Sequence, residues 1–478
     1  MTEGLASLDG EEVVLASGRH PLPFGTLEIE FASADFTWAG HHLDHFLPSA
    51  NLAVRGLRNR YRQAGIGAPL AASLAGTASV SGAGSNRIPL RLKVPVTAFL
   101  RLEAPRAGLT SGALRGRLEL YALDQTETVT INGQERPLEF QPSAALAYTL
   151  EGSQIYGFEL GGFLKQALRS YIPQGRAEDG LFFMQPPRLD RIPVVLVHGT
   201  ASSPARWAEL INEVEGDPLL RQRYQIWLFI YETGNPVGYS GGRLRQALQH
   251  VMQELDPEGK APALQRMVVI GHSQGGLLTK LTVIDSGTRF WDNISKTPFD
   301  QLTMEPETRE LLRNSLFFTP LPFVKRVIFI STPHRGSYQA ALRPARLASW
   351  LVSLPGDLTK QALTVLTQNQ DKLLTQSLEK LPTSIDNMDP SNRFIKTLAT
   401  IPVADGITAH SIIAVQGDGP PQAGGDGVVK YESAHIEGVA SELVVRFGHS
   451  VQGHPQAIEE VRRILREHLR AGGKTHLE

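Results

Sequence analysis

A chain of 478 residues is too long for one ordinary hydrophobic core, and at roughly 100–200 residues per domain it is expected to form two or three, two being the simpler arrangement. Its 47 basic residues are balanced by 48 acidic ones, so no excess of Lys and Arg is available for a phosphate backbone and nucleic acid is not an expected partner. The absence of cysteine excludes disulfides, thiolate metal sites and a Cys nucleophile, and leaves the redox compartment open.

The first thirty residues lack a basic segment followed by an apolar core of about 7–15 residues, so no secretory leader is read from them. A leader already removed would leave a secreted or periplasmic location unread. No apolar run approaches the ~18 residues that a membrane-crossing helix needs. From Glu11 to Gly152 apolar residues often alternate with polar ones, as in Leu27-Glu28-Ile29-Glu30-Phe31, Leu90-Arg91-Leu92-Lys93-Val94 and Leu114-Arg115-Gly116-Arg117-Leu118-Glu119-Leu120. That period belongs to half-buried antiparallel strands. Thr128-Val129-Thr130-Ile131-Asn132-Gly133-Gln134-Glu135 reads as a hairpin, because Asn-Gly suits a two-residue turn. Helical interruptions are expected around Asn51–Gln63 and Phe158–Tyr171. In His41-His42-Leu43-Asp44-His45 two imidazoles four apart could share a helix face, but no further ligand stands at a telling spacing, so no metal is read there. This β-rich N-terminal domain, of unknown role, is expected to cover residues 1–187 and to end near Gln185-Pro186-Pro187-Arg188.

Beyond Arg191 short, fully apolar runs alternate with helical segments: Val194–Val197, Ile226–Ile230, Met267–Ile270, Val327–Ile330 and Ile412–Val415. Strands covered on both faces have this texture. The expected fold of residues 188–478 is therefore α/β, a doubly wound, mostly parallel sheet.

Within that pattern Gly271-His272-Ser273-Gln274-Gly275 fits G-x-S-x-G, with an apolar strand before it and the helical run Gly276–Ile284 after it. The need for glycine is steric: a serine on a sharp turn lifts its hydroxyl clear of the backbone only where strand and helix can approach closely. With this elbow, Val195-Leu196-Val197-His198-Gly199-Thr200, Ser331-Thr332-Pro333-His334-Arg335-Gly336-Ser337 and Asp426-Gly427-Val428-Val429 in place, residues 190–470 resemble the α/β-hydrolases. The likeness is to bacterial lipases and esterases, with some to serine hydrolases of the GPI-inositol deacylase type. It implies an oxyanion hole formed by the backbone N–H groups of Thr200 and Gln274.

A serine is a weak nucleophile until a histidine takes its proton. His449 follows the last apolar strand and precedes the final helix, the place of the base in a Ser, acid, His order. His454 directly precedes Pro455 and reads as a helix start; His435 is a further alternative. For the acid, Asp426 matches the D-G-V-V of the lipases that the stretch resembles, with Asp418 in the same loop as its rival.

Residues 338–405 are expected to form a helical cap or lid, since Leu347, Trp350, Leu351 and Leu354 share one helical face and Leu358, Val365, Leu366, Leu373 and Leu374 follow after Pro355-Gly356. The run Leu316–Phe323 reads equally as a lining of an acyl pocket or as buried loop packing. These features together lead to a serine carboxylic-ester hydrolase with Ser273, His449 and Asp426 as its catalytic residues. It would need no metal or cofactor, and its substrate would be a small-molecule ester or a lipid, which leaves room for peripheral contact with a lipid surface. The same residues would also serve an acyltransferase or a phospholipid deacylase, and a lipid- or polymer-binding scaffold is the non-enzymatic alternative. Oligomeric state is not legible.

Overall fold

The computed structural model describes residues 13–32, 36–54, 56–75, 83–151, 179–200, 202, 204–337, 368, 369, 372, 374 and 388–473. Its frame is two seven-stranded sheets and a separate two-stranded hairpin.

The first sheet holds β1 (Gly18–Leu22), β2 (Gly25–Glu30), β3 (Thr37–Trp38), β4 (His41–Pro48), β5 (Ala68–Leu74), β6 (Lys93–Glu103) and β7 (Ala113–Ala122). Their order is β1-β2-β7-β6-β5-β4-β3, and every pairing is antiparallel except β2 with β7. β7 shows how patterning orients the sheet: Leu114, Leu118, Leu120 and Ala122 are buried while Arg115 and Arg117 face water. β8 (Thr128–Ile131) and β9 (Gln134–Pro137) form the hairpin, with Asn132 at φ 50° and Gly133 at φ 74°, the positive angles its turn needs. The stretch His41–His45 is strand β4 rather than helix, so its side chains alternate between faces.

The helix expected around Asn51–Gln63 does not form. Only Ser49–Asn51 makes a single 3-10 turn, and the chain beyond is irregular. Partners from outside hold this stretch: the Arg58 N–H donates to Glu209 at 3.1 Å, and the side chains of Asn59 and Tyr61 donate from Nδ2 and Oη to Glu213 at 2.7 Å and 2.5 Å. Local periodicity could not anticipate the helix Ala208–Gly216 that supplies those carboxylates. The helix expected around Phe158–Tyr171 lies outside the described residues.

The second sheet runs β10-β12-β11-β13-β14-β15-β16, from β10 (Leu181–Phe183), β11 (Ile192–Val197), β12 (Tyr224–Phe229), β13 (Met267–His272), β14 (Val324–Ile330), β15 (Thr408–Ala414) and β16 (Ser441–Val445). All neighbours are parallel except the edge pair β10 and β12. β10 precedes the proline-rich stretch in sequence yet belongs to this sheet. Alternate residues face two cores. Val194, Leu196, Val268, Ile270 and Ile328 pack with Leu210 and Val214 and with Ile458, Val461 and Leu465 of the helix Pro455–Gly473. Val195, Val197, Val269, Val327 and Phe329 pack with Leu244, Leu248, Leu277 and Leu281 from the helices Val237–Leu255 and Gln274–Leu281. Helices thus cover both faces, which explains why these strands are apolar throughout. Among the described residues, no helix is long and apolar enough to cross a membrane.

Candidate active site

β13 ends at His272, and the next residue, Ser273, stands at φ 54°, ψ −125° before the helix Gln274–Leu281 begins. A non-glycine residue in such a conformation costs on the order of 1–3 kcal/mol and persists only where its surroundings hold it. The Ser273 N–H donates to the Ile330 carbonyl at 2.9 Å, and its own carbonyl accepts from the Gly276 N–H at 2.9 Å. Close approach accounts for the glycines: a Cβ on Gly271 would lie 2.4 Å from the Gly275 oxygen, on Gly275 2.2 Å from the Val197 oxygen, and on Gly276 1.8 Å from Thr332 Oγ1.

The turn aims Ser273 Oγ at His449 Nε2, 2.8 Å away, and His449 Nδ1 lies 2.8 Å from Asp426 Oδ2. A carboxylate can only accept, so Nδ1 carries the proton of the neutral imidazole and Nε2 accepts from the serine hydroxyl. His449 lies just after β16 and Asp426 in the loop after β15, so three strand ends converge. Asp426 Oδ1 also accepts from the N–H groups of Val428 at 2.9 Å and Val429 at 2.7 Å. Burial pushes the Asp426 carboxyl up, but the hydrogen bond from His449, the charge of that ring when it is protonated, and the two amides outweigh it and hold the group below the usual carboxylate range. Asp418 is exposed on the same loop.

The two alternative bases, His454 and His435, are occupied elsewhere. His454 Nδ1 accepts from the Gln456 N–H at 3.3 Å, a helix-start contact, and His435 lies between Glu442 at 2.7 Å and Glu437 at 3.0 Å. Thr200, after β11, meets Gln274 through a bond of 2.5 Å from its Oγ1 to Gln274 Oε1. Gln274 opens its helix, so its N–H has no intrahelical acceptor.

This half of the chain has the α/β-hydrolase fold. Its parallel sheet, the elbow after β13 and the Ser, Asp, His order of the converging residues decide it. Two buried histidines, given no role of their own by the motifs that contain them, lie beside the site of this α/β-hydrolase fold. His272 donates from Nε2 to the His449 carbonyl at 2.8 Å, and burial, with His449 adding to it, pushes its pKa down to about 3. His198 is likewise kept neutral by burial, with a pKa of about 4, and its carbonyl accepts from Tyr231 Oη at 2.9 Å. His198 belongs to the His-Gly segment, but nothing local marks His272, which occupies a variable position of G-x-S-x-G.

Of the run Leu316–Phe323, Phe318, Leu321 and Phe323 are buried in the main core, and Phe317 packs on Phe299 at 5.0 Å between ring centroids. Among the described residues these contacts are buried loop packing. The expected cap helices over residues 347–374 lie outside the described residues apart from isolated positions. Further along, the helix Arg393–Thr400 buries Ile395 and Leu398, and the carbonyl of Leu398 accepts from Lys280 Nζ at 2.8 Å.

No protein-family model and no curated protein matches the chain. Among solved structures it is similar to the lipase BlEst2 of Bacillus licheniformis in its propeptide form, at 16% identity over 58% of this chain and 51% of that one, with a TM-score of 0.34. The match thus spans about half of that lipase chain. EstA from Clostridium botulinum is similar at 12% identity, over 56% of this chain and 85% of that one, with a TM-score of 0.36. The phospholipase PlaB from Legionella pneumophila follows at 13% identity, over 57% and 59% of the two chains, with a TM-score of 0.34. Strand order and the strained elbow at Ser273, rather than these distant likenesses, define the fold.

Proposed function

We propose that the chain is a serine carboxylic-ester hydrolase, with residues 188–478 as its catalytic domain, to whose sheet β10 adds an edge strand, 338–405 as a cap and the rest of 1–187 as an accessory β-rich domain. The observation that carries this reading is the unbroken relay from Ser273 Oγ through the His449 imidazole to Asp426, each link 2.8 Å long.

Ser273 Oγ attacks the ester carbonyl carbon while its proton passes to His449 Nε2. The oxyanion that forms is held by the N–H groups of Thr200 and Gln274; losing one such donor costs roughly 3–4 kcal/mol of transition-state stabilisation. The tetrahedral intermediate collapses, the alkoxide leaves with the proton from His449, and an acyl ester remains on Ser273. Water then gives a proton to His449 as its oxygen attacks that ester. Collapse frees the carboxylic acid, and Ser273 recovers its proton. Asp426 stays ionised throughout and stabilises the imidazolium. No step requires a metal or cofactor, and a small ester or a lipid fits as substrate.

The test is Ser273→Ala. Turnover of short p-nitrophenyl esters should fall at least ~10³-fold with the melting temperature preserved, and a fluorophosphonate probe should label the parent protein but not the variant. Unchanged turnover in the variant would overturn the proposal.

A further inference from the structure

The segment Ser331–Ser337, which leaves β14 beside the nucleophile, ends on the loop that carries Asp426. We infer that Arg335 and Ser337 are positioning residues: they clasp the Asp426 loop and so set the carboxylate against His449. The inference rests on the reading of Asp426 as the triad acid.

Ser337 Oγ donates to the Val428 carbonyl at 2.7 Å, and the N–H of the same Val428 donates to Asp426 Oδ1 at 2.9 Å. One residue is therefore gripped on its carbonyl side and orients the carboxylate from its amide side. Five residues on, Ser433 Oγ donates to the Gly336 carbonyl at 2.5 Å, and the Arg335 N–H donates to Ser433 Oγ at 3.1 Å. The Arg335 guanidinium donates from Nη1 to the Glu432 carbonyl at 2.7 Å and also to the His435 carbonyl. Those carbonyls lie at the C-terminal end of the short helix Tyr431–Ala434, where unpaired oxygens favour a cation.

At its other end the same segment is tied to the nucleophile. The Ile330 carbonyl accepts from the Ser273 N–H at 2.9 Å, and the Ser331 N–H donates to Ile412 in β15 at 2.8 Å. Its shape is fixed by Gly336 at φ +90°, where a Cβ would come 2.7 Å from the Met388 carbonyl oxygen. A short, shape-fixed connector thus runs from the serine to the acid loop and makes their separation independent of the exposed tip of that loop around Asp418. Ser337 is buried, whereas Arg335 is exposed and can be changed without opening the core.

The experiment places Arg335→Ala and Ser337→Ala in the full chain, each in the parent and in an Asp426→Asn background, with kcat and KM measured on p-nitrophenyl butyrate and melting followed by circular dichroism. In the parent, each change is expected to lower kcat about 5- to 100-fold with KM moved less than about twofold. Arg335→Lys, which keeps the cation at the helix end, should recover part of the loss. In Asp426→Asn the same changes should cost less than about twofold, because no carboxylate remains to be aimed. Equal losses in both backgrounds, or no loss of kcat in the parent for the well-folded Arg335→Ala, would overturn the inference. If Ser273→Ala is inactive while Arg335→Ala is unaffected, only this inference fails; if Ser273→Ala still turns over, the hydrolase reading fails with it.

Discussion

Nε2 of His272 donates a hydrogen bond of 2.8 Å to the carbonyl oxygen of His449, and the two rings lie 5.0 Å apart between centroids. The residue before the nucleophile therefore holds the main chain of the residue that faces the nucleophile. His272→Ala would leave that carbonyl without its partner, a loss of ~1–3 kcal/mol, and kcat should fall about 5- to 150-fold. Because burial keeps His272 neutral, with a pKa of about 3, the pH-rate profile above about pH 5 should keep its shape while its plateau drops. Steady-state kinetics on a p-nitrophenyl ester across that range check both points, and an unchanged plateau would remove the role.

The two loop aspartates separate cleanly by substitution. Asp426→Asn removes the charge that accepts from His449 Nδ1 and favours the wrong tautomer, so kcat should fall by roughly 10⁴. Asp418→Asn, at an exposed position, should leave kcat within about twofold. A large loss at 418 with little at 426 would reverse the assignment.

Packing at the elbow has its own consequence. Gly276→Ala puts a methyl group 1.8 Å from Thr332 Oγ1 and should destabilise the protein by about 1–3 kcal/mol or more. Adding Thr332→Ala should recover part of that loss. Gly453→Ala, with nothing within 4 Å of the new atom, is the matched control and should shift the denaturant midpoint little. Similar midpoints for the two single variants would show that the helix after Ser273 is not in close contact with the end of β14.

Stability should also depend on pH through Glu215. It lines a cavity of about 70 Å³ between the two sheets, together with Asp124, Trp38 and Met184. Burial first raises its carboxyl from 4.5 to about 7, the charge of Asp124 adding to the rise and Arg221 and Arg191 opposing it. With the folded pKa above the unfolded one, the folded state holds an extra proton in that window. The resulting stability is complete below about pH 4.5 and is lost as pH rises through 7, by up to ~3 kcal/mol. Glu215→Gln should flatten this dependence and raise the melting temperature more at pH 8 than at pH 5. An equal shift at both values would mean that Glu215 titrates normally.

Strand texture was legible because burial on both faces leaves a local mark: β11 through β15 read as unbroken apolar runs, and β7 as a strict alternation. Turn chemistry was legible for the same reason, since Asn132-Gly133 and the glycines around Ser273 answer steric demands set within a few residues. The stretch from Asn51 to Gln63 was misread because the carboxylates that hold it, Glu209 on the Arg58 N–H and Glu213 on the side chains of Asn59 and Tyr61, lie 151 to 154 residues away.

By itself the sequence determined which chemistry was open to the chain: no thiol, no overall excess of basic residues, and a serine whose neighbours permit a strained turn after an apolar strand. Those are matters of composition and short-range sterics. Only the tertiary structure decided which histidine meets the serine, 176 residues away, and that Asp426 rather than Asp418 meets that histidine. It alone decided that His272 pins the base-bearing loop and that Arg335 and Ser337 reach the acid-bearing one. Such contacts join strand ends that are remote in sequence. They arise from how a parallel sheet stacks its C-terminal ends side by side, which no local period records.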